Sequence, residues 1–97
     1  MLKPTTALNQ KILDFVLSDP GVQKWLNVRD AHKDAFAREL RITFERQLDN
    51  PKQSGYRVDF TYNTRDPELE KTDDIIVYVI VTEGAMPSYK IVNTIAH

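Results

Sequence analysis

The chain contains no cysteine, and glycine and histidine are scarce among its 97 residues. The absence of cysteine excludes disulfide bonds, thiolate metal ligands and a cysteine nucleophile. The three glycines, Gly21, Gly55 and Gly84, are too scattered to form a phosphate-binding P-loop or a dinucleotide fingerprint. The two histidines, His32 and His97, form no HExxH motif and no His/Cys cluster. The sequence therefore predicts no metal and no cofactor.

Long hydrophobic runs and an excess of one charge are also missing. The longest apolar run, over residues 75–81, is too short to cross a bilayer, and no apolar signal-peptide segment is visible. The formal net charge of −1 gives no overall attraction to nucleic acid or to anionic lipid. With 41% hydrophobic and 28% charged residues, the composition predicts a single folded domain over 1–97, soluble and cytoplasmic, without membrane contact.

Catalytic constellations are not recognisable in this sequence. The serines lie at the ends of predicted elements and outside any G-x-S-x-G context, so no activated nucleophile is visible. A dyad centred on His32 stays open, because its partners would be neighbours in space rather than in sequence. The acidic residues between positions 66 and 74 lack the ligand order of an EF-hand and are interpreted as a solvated loop. We therefore expect a protein that is not an enzyme.

Helical periodicity predicts the structure of the first half. One helix is predicted over about residues 6–18, and a short one over 20–26 with Asp19 as its N-cap and Pro20 in its first position. A third helix is predicted over 28–48, ended by an Asn-Pro pair. Its main apolar face repeats every four residues, at Phe36, Leu40, Phe44 and Leu48.

Strand patterns predict the structure of the second half. Residues 56–63 alternate strictly between apolar and polar, and residues 74–82 are β-branched and apolar on both faces, which is typical of an inner strand. Residues 88–95 alternate again, with Tyr89, Ile91 and Ile95 on one face. The sequence therefore predicts an α+β fold in which the three helices pack on one face of a three-stranded antiparallel meander.

A cationic face on the predicted 28–48 helix is a candidate for nucleic-acid binding. It consists of Lys33, Arg38, Arg41 and Arg46. Acidic residues interleave with these cations, and phosphate binding needs charge that is not neutralised, so a solvated charged surface is favoured. Aromatic side chains on the sheet could stack on bases, but most of them share the pattern of the core. Nucleic-acid binding therefore stays an alternative and is not favoured.

The predicted inner strand has more apolar surface than helices on one side can cover. If its odd-numbered valines face the helices, the opposite face carries a stripe formed by Ile76, Tyr78, Ile80 and Val92. The reverse orientation would turn Ile75, Val77 and Val79 outward instead. Either the aliphatic parts of neighbouring polar side chains shield this stripe, or the stripe is a contact surface.

These observations predict a small non-enzymatic protein-interaction domain. It would act as a regulator, inhibitor or accessory factor by binding the surface of another macromolecule, with the stripe as the candidate partner surface. Two alternatives stay open, namely a structural subunit of a homo-oligomeric assembly and a nucleic-acid-binding protein that uses the basic helix face. The expected partner is a protein or a second copy of the chain, and no membrane, metal or cofactor is expected.

Overall fold

The computed structural model describes residues 7–30, 36–64 and 72–96, which form two helices followed by four strands. The helices are α1 (Ala7–Leu17) and α2 (Pro20–Asp30). The strands are β1 (Phe36–Gln47), β2 (Gln53–Thr64), β3 (Thr72–Thr82) and β4 (Ser88–Ala96). They form one antiparallel sheet in the order β1-β2-β3-β4. The described chain is therefore an α+β fold, and its meander has four strands rather than the predicted three.

The junction between the helices has the chemistry that the sequence predicts. A carboxylate oxygen of Asp19 accepts a hydrogen bond from the backbone amide of Val22 at 3.1 Å, as an N-cap does. Pro20 occupies the first helical position, where its missing N–H leaves no helical hydrogen bond unmade. The predicted cap is confirmed, and α1 lies where it was expected. However, α2 continues to Asp30 instead of ending near residue 26.

The predicted helix over residues 28–48 is wrong. Its first residues belong to α2, and Phe36–Gln47 forms the edge strand β1. The physical reason is that a spacing of four fits the helical period of 3.6 and is also twice the strand period of two. Leu40 and Phe44 satisfy both patterns, whereas Ile42 between them fits the strand period. Pairing with β2 along the whole strand stabilises the extended conformation.

The three strands predicted from alternation are present at nearly the predicted positions. Each of β2, β3 and β4 covers its predicted span and extends slightly beyond it. β3 lies between β2 and β4, as its two apolar faces indicated. Because β1 adds a further strand beyond β2, the edges of the sheet are β1 and β4.

Buried side chains from both helices and from alternate strand positions form one hydrophobic cluster. The helices contribute Ile12, Val16, Val22 and Leu26. The strands contribute Val58, Phe60, Tyr62, Ile75, Val77, Val79 and Val81. Full burial of a large apolar side chain stabilises a fold by about 1.5–3 kcal/mol, so this cluster is the main source of stability. We call the sheet surface formed by these strand residues the core face.

Two β-bulges interrupt the register of the sheet, one on each edge strand. In β1 the extra residue is Glu45. In β4 it is Val92, which lies between Ile91 and Asn93 and has no partner of its own on β3. An extra residue shifts the alternation of side chains by one position. The residues of β4 after Val92 therefore point to the face opposite the one that simple alternation predicts.

Candidate functional site

The second surface of the sheet points away from the hydrophobic cluster, and we call it the outer face. Side chains alternate along a strand, so the positions between core-face residues point to it. Pairing across the strands arranges the central ones of these positions in four rows, with one uncharged row beyond them at each end of the sheet. The first row is Glu39, Thr61 and Asp74, and the second is Arg41, Asp59, Ile76 and Ile95. The third is Thr43, Arg57, Tyr78 and Asn93, and the fourth is Arg46, Gly55, Ile80 and Lys90.

An apolar stripe runs along the outer face on β3 and β4. Ile76, Tyr78 and Ile80 lie on this face, because the valines between them lie on the core face. The structure therefore has the first of the two strand orientations considered from the sequence. Ile76 is 7% exposed, Tyr78 and Ile80 are half-buried, and Val92 is 49% exposed. All four predicted stripe residues lie on one side of the sheet, and exposure rises toward the β4 edge.

An open hollow with a volume of about 300 Å³ extends from this stripe across β2 to the end of β1. Gly55 forms part of its lining, and the missing side chain there leaves room between Arg46 and Ile80 in the fourth row. A Cβ placed on Gly55 would lie 3.5 Å from the nearest atom, the Cγ of Arg46, which is an ordinary contact distance. The hollow could therefore accept a protruding side chain of a partner protein. Further lining comes from Tyr78, Val92, Asn93 and Ile95.

Ile95 is the residue of this surface that sequence reasoning missed. The alternation of β4 predicts Ile95 on the same face as Tyr89 and Ile91, which belong to the core side. The bulge at Val92 reverses the alternation, so Ile95 pairs with Ile76 on the outer face and is 37% exposed. No glycine beside Val92 marks this bulge in the sequence, so the alternation pattern alone could not have located the bulge.

Charged side chains flank the stripe on its β1 side. The guanidinium of Arg57 forms an ion pair with a carboxylate oxygen of Asp59 at 2.9 Å and donates a second hydrogen bond to it at 3.0 Å. This hydrogen bond raises the pKa of Arg57 above its usual value, against the desolvation caused by burial. The other carboxylate oxygen of Asp59 is buried and receives no hydrogen bond within the described chain. This oxygen is therefore an unsatisfied buried acceptor among the described residues.

The four residues of the predicted basic face do not share a helix. Lys33 lies outside the described residues, and Arg38, Arg41 and Arg46 belong to β1. Arg41 and Arg46 are exposed on the outer face, and only the backbone position of Arg38 is described. The helix that would have presented these cations together is absent, because strand β1 takes its place.

A second group of polar and aromatic side chains joins α2 to the far end of the sheet. The Trp25 and Tyr62 rings pack edge to face with centroids 5.5 Å apart, and the Arg29 guanidinium carbon lies 3.7 Å from the Trp25 ring centroid. Arg29 also forms an ion pair with Asp73 at 3.4 Å, and the Tyr62 hydroxyl donates a hydrogen bond to Asp30. These groups bind one another across the interface of α2 with β2 and β3, which indicates a structural role.

Two features are absent from residues 7–30, 36–64 and 72–96, namely a metal-binding group of side chains and a membrane-spanning helix. No group of three or more His, Asp or Glu side chains in these ranges could hold a metal ion. Within the same ranges, no helix has the length and apolar character needed to span a membrane. Asp73 and Asp74 occupy successive positions of β3 and so lie on opposite faces of the sheet. His32, His97 and the acidic positions 66–70 lie outside the described residues, so the question of a dyad centred on His32 stays open.

No protein-family model matches the chain, and neither a curated protein nor a solved structure matches it.

Proposed function

We propose that the chain is a small non-enzymatic protein-interaction domain that binds another protein molecule through its outer face. The observation that carries this proposal is the apolar stripe around the Gly55 hollow, on the side of the sheet that does not belong to the hydrophobic cluster. Apolar side chains in contact with water are unfavourable, and burying them against a partner is the main driving force of protein association. Contiguous apolar surface with a polar rim is typical of interaction sites.

For this function, both helices must leave the outer face open. The Phe15 ring of α1 packs against Tyr89, with centroids 5.6 Å apart, and the Trp25 ring of α2 packs against Tyr62. Both of these sheet residues belong to the core side. The described lining of the Gly55 hollow consists of strand residues and of Leu48 from the β1–β2 connection. These contacts support an arrangement in which the helices cover one side and a partner covers the other.

The composition of the outer face also favours a protein as the partner. Interface centres are enriched in aromatic residues and arginine, and their rims are polar. Tyr78 lies at the centre, beside Arg57 in the third row and between Ile76 and Ile80 along β3. Charged residues such as Lys90 lie toward the ends of the face. This arrangement matches an anchor that is buried on binding and surrounded by solvated groups.

Nucleic acid is the less favoured partner of the same face. Its arginines alternate along β1 with carboxylates, as Arg41 does with Glu39, and Arg46 is preceded by the bulge residue Glu45. Phosphate binding depends on cations that are not neutralised, so such a pattern gives little affinity for a nucleic-acid backbone. Strong, salt-sensitive retention of the pure protein on heparin would contradict this conclusion.

The test compares two stripe variants with a matched control. Tyr78→Asp and Ile80→Asp each place a charge in the stripe, whereas Val28→Asp places the same charge on α2, where Val28 is 58% exposed. Each purified protein is immobilised and exposed to a cell lysate, and the retained proteins are quantified by mass spectrometry. Charge insertion at an interface anchor weakens binding by about 30-fold or more, equivalent to about 2 kcal/mol.

We expect a specific protein, or the chain itself, to be retained by the wild type and by Val28→Asp, and to be lost from both stripe variants. Circular dichroism should show that the variants are folded. The proposal is wrong if all four proteins retain the same set, because the stripe then makes no contact. It is also wrong if both stripe variants unfold while Val28→Asp does not, because the stripe is then needed for the fold itself.

A further inference from the structure

We infer that the outer face binds a second copy of the chain, related to the first by a twofold axis that lies between the two sheets and runs across the strands. This inference rests on the proposed function, because it names the partner of the same face. A twofold interface is formed by one surface meeting itself, so that surface must be self-complementary in charge and shape. The distribution of charge along the strands of the outer face meets this requirement.

The two ends of the outer face carry opposite charge. In the described residues, the first and second rows contain three carboxylates and one arginine, a net charge of −2, from Glu39, Asp59, Asp74 and Arg41. The third and fourth rows, with the adjacent bulge residue, contain three cations and one carboxylate, a net charge of +2, from Arg46, Arg57, Lys90 and Glu45. The charges of the face sum to zero and are separated along the strand direction.

A twofold axis across the strands, between the second and third rows, brings each end over the opposite end of the second copy. On β1, Glu39 then faces Arg46 of the second copy. On β2, Asp59 faces Arg57 of the second copy, and one buried carboxylate oxygen of Asp59 has no hydrogen-bond donor among the described residues. On β3, Ile76 faces Tyr78 of the second copy. One axis thus pairs opposite charges on β1 and β2 and Ile76 with Tyr78 on β3, while Asp74 faces Ile80 of the second copy.

The other axis in the plane of the sheet does not give this complementarity. A twofold axis parallel to the strands places the fourth row over the fourth row, so Arg46 approaches Lys90 of the second copy. It also places the first row over the first row, so Glu39 approaches Asp74 of the second copy. Like charges that face each other across an interface are unfavourable. The charge pattern therefore selects the axis across the strands.

The area of the face is sufficient for a weak dimer. Strands lie about 4.8 Å apart and successive outward residues about 6.8 Å apart, so four strands and four rows cover about 19 by 27 Å. Two such faces bury about 1,000 Å² in projection, near the lower limit for a specific interface. We therefore expect an equilibrium between monomer and dimer at micromolar concentration rather than a permanent dimer.

Charge reversal tests this geometry, because Glu39 of one copy contacts Arg46 of the other copy. The two partners in the contact are therefore different positions of the same sequence. Glu39→Arg and Arg46→Glu each change an exposed side chain of β1. In a homodimer, either single change replaces two attractive contacts by two repulsive ones, so we expect the dimer Kd to rise by about 30-fold. When the two variants are mixed, every contact between them joins opposite charges again, and a heterodimer should form.

The control pair carries the same charge changes away from the outer face. Glu83→Arg and Lys52→Glu lie at exposed positions of the connections between strands and change the net charge by the same amounts. Sedimentation velocity at concentrations up to about 500 µM measures the dimer fraction, and native mass spectrometry identifies the heterodimer in the mixture. Far-UV circular dichroism confirms that all four variants are folded.

We expect dimers from the wild type and from both control variants, monomers from each β1 variant alone, and heterodimers when the two β1 variants are mixed. A wild type that stays monomeric over the whole range overturns the inference, while the proposed function is still decided by the capture of a foreign protein. A dimer that neither β1 variant weakens, or a mixture that forms no heterodimer, also overturns it.

Discussion

Replacement of Gly55 by valine should raise the stability of the fold and weaken binding by the outer face. Gly55 lies inside β2, between Arg46 and Ile80, and borders the open hollow. An added Cβ would meet Arg46 at 3.5 Å and 3.7 Å, both ordinary contact distances, so valine at this position causes no overlap at its first carbon. Its two further methyl groups would extend toward the hollow.

The magnitude follows from the backbone and from the strand position. A glycine within a strand is less favourable than alanine by about 0.5–1 kcal/mol, because the unfolded chain loses more conformational freedom on folding. Valine adds the strand preference of a β-branched residue. We therefore expect Gly55→Val to raise the free energy of unfolding by about 0.5–1 kcal/mol and the Tm by about 3–6 °C. The same side chain fills part of the hollow and should weaken binding at the outer face.

Urea denaturation and calorimetry measure the change in stability, and sedimentation velocity together with lysate capture measures binding. Gly55→Ala is the matched control, because it has the backbone effect with only one added carbon and should bind more like the wild type. A loss of stability of more than about 1 kcal/mol in Gly55→Val would show that the hollow is not open space. Increased stability with unchanged binding would show that the hollow is not part of the contact.

Four further substitutions test the N-cap of α2 and the packing of the core. Asp19→Ala removes the N-cap of α2 and should lower the free energy of unfolding by about 1 kcal/mol in urea titrations. Tyr62→Phe keeps the buried ring but removes the hydroxyl that donates to Asp30, and should lower it by about 1.5–2 kcal/mol; a change below about 0.5 kcal/mol would contradict that bond. Val77→Ala removes a fully buried side chain and should lower it by about 2–3 kcal/mol, whereas Val92→Ala at the exposed bulge should change it by less than about 0.5 kcal/mol.

The sequence was sufficient to predict the elements whose patterns have one interpretation. α1, the cap at Asp19 and strands β2 to β4 combine a single periodicity with a local signal such as a proline or a polar turn. β1 could not be predicted in the same way, because Leu40 and Phe44 are four residues apart and that spacing fits a helix and a strand alike. Abundant Glu and Arg around them favour a helix in isolation. Pairing with β2 outweighs this preference, and tertiary pairing is not visible in a local pattern.

The candidate site could be predicted in part for a similar reason. Alternation along β3 limits the outward residues to two sets, and the set with Ile76, Tyr78 and Ile80 is the one that the structure has. The choice between the sets needs the position of the core, which involves both helices. Ile95 was missed because the bulge at Val92 changes the direction of the side chains that follow. The hollow depends on Gly55, which follows the β1–β2 turn, and a glycine there is easily interpreted as turn chemistry.

The apolar character of the stripe is difficult to explain by the fold alone. The core face already buries Ile75, Val77, Val79 and Val81 from the same strand, and strand formation at the intervening positions does not require apolar side chains. Threonine has a similar strand preference and would remain solvated on an open face. Yet isoleucine and tyrosine occupy these positions, and the bulge of β4 adds the exposed Ile95 beside them. Ile76 is nearly buried, but the exposed parts of Tyr78, Ile80 and Ile95 leave apolar surface in water unless a second surface covers it. Apolar residues at these positions are therefore expected for a sheet whose outer face is covered by a partner.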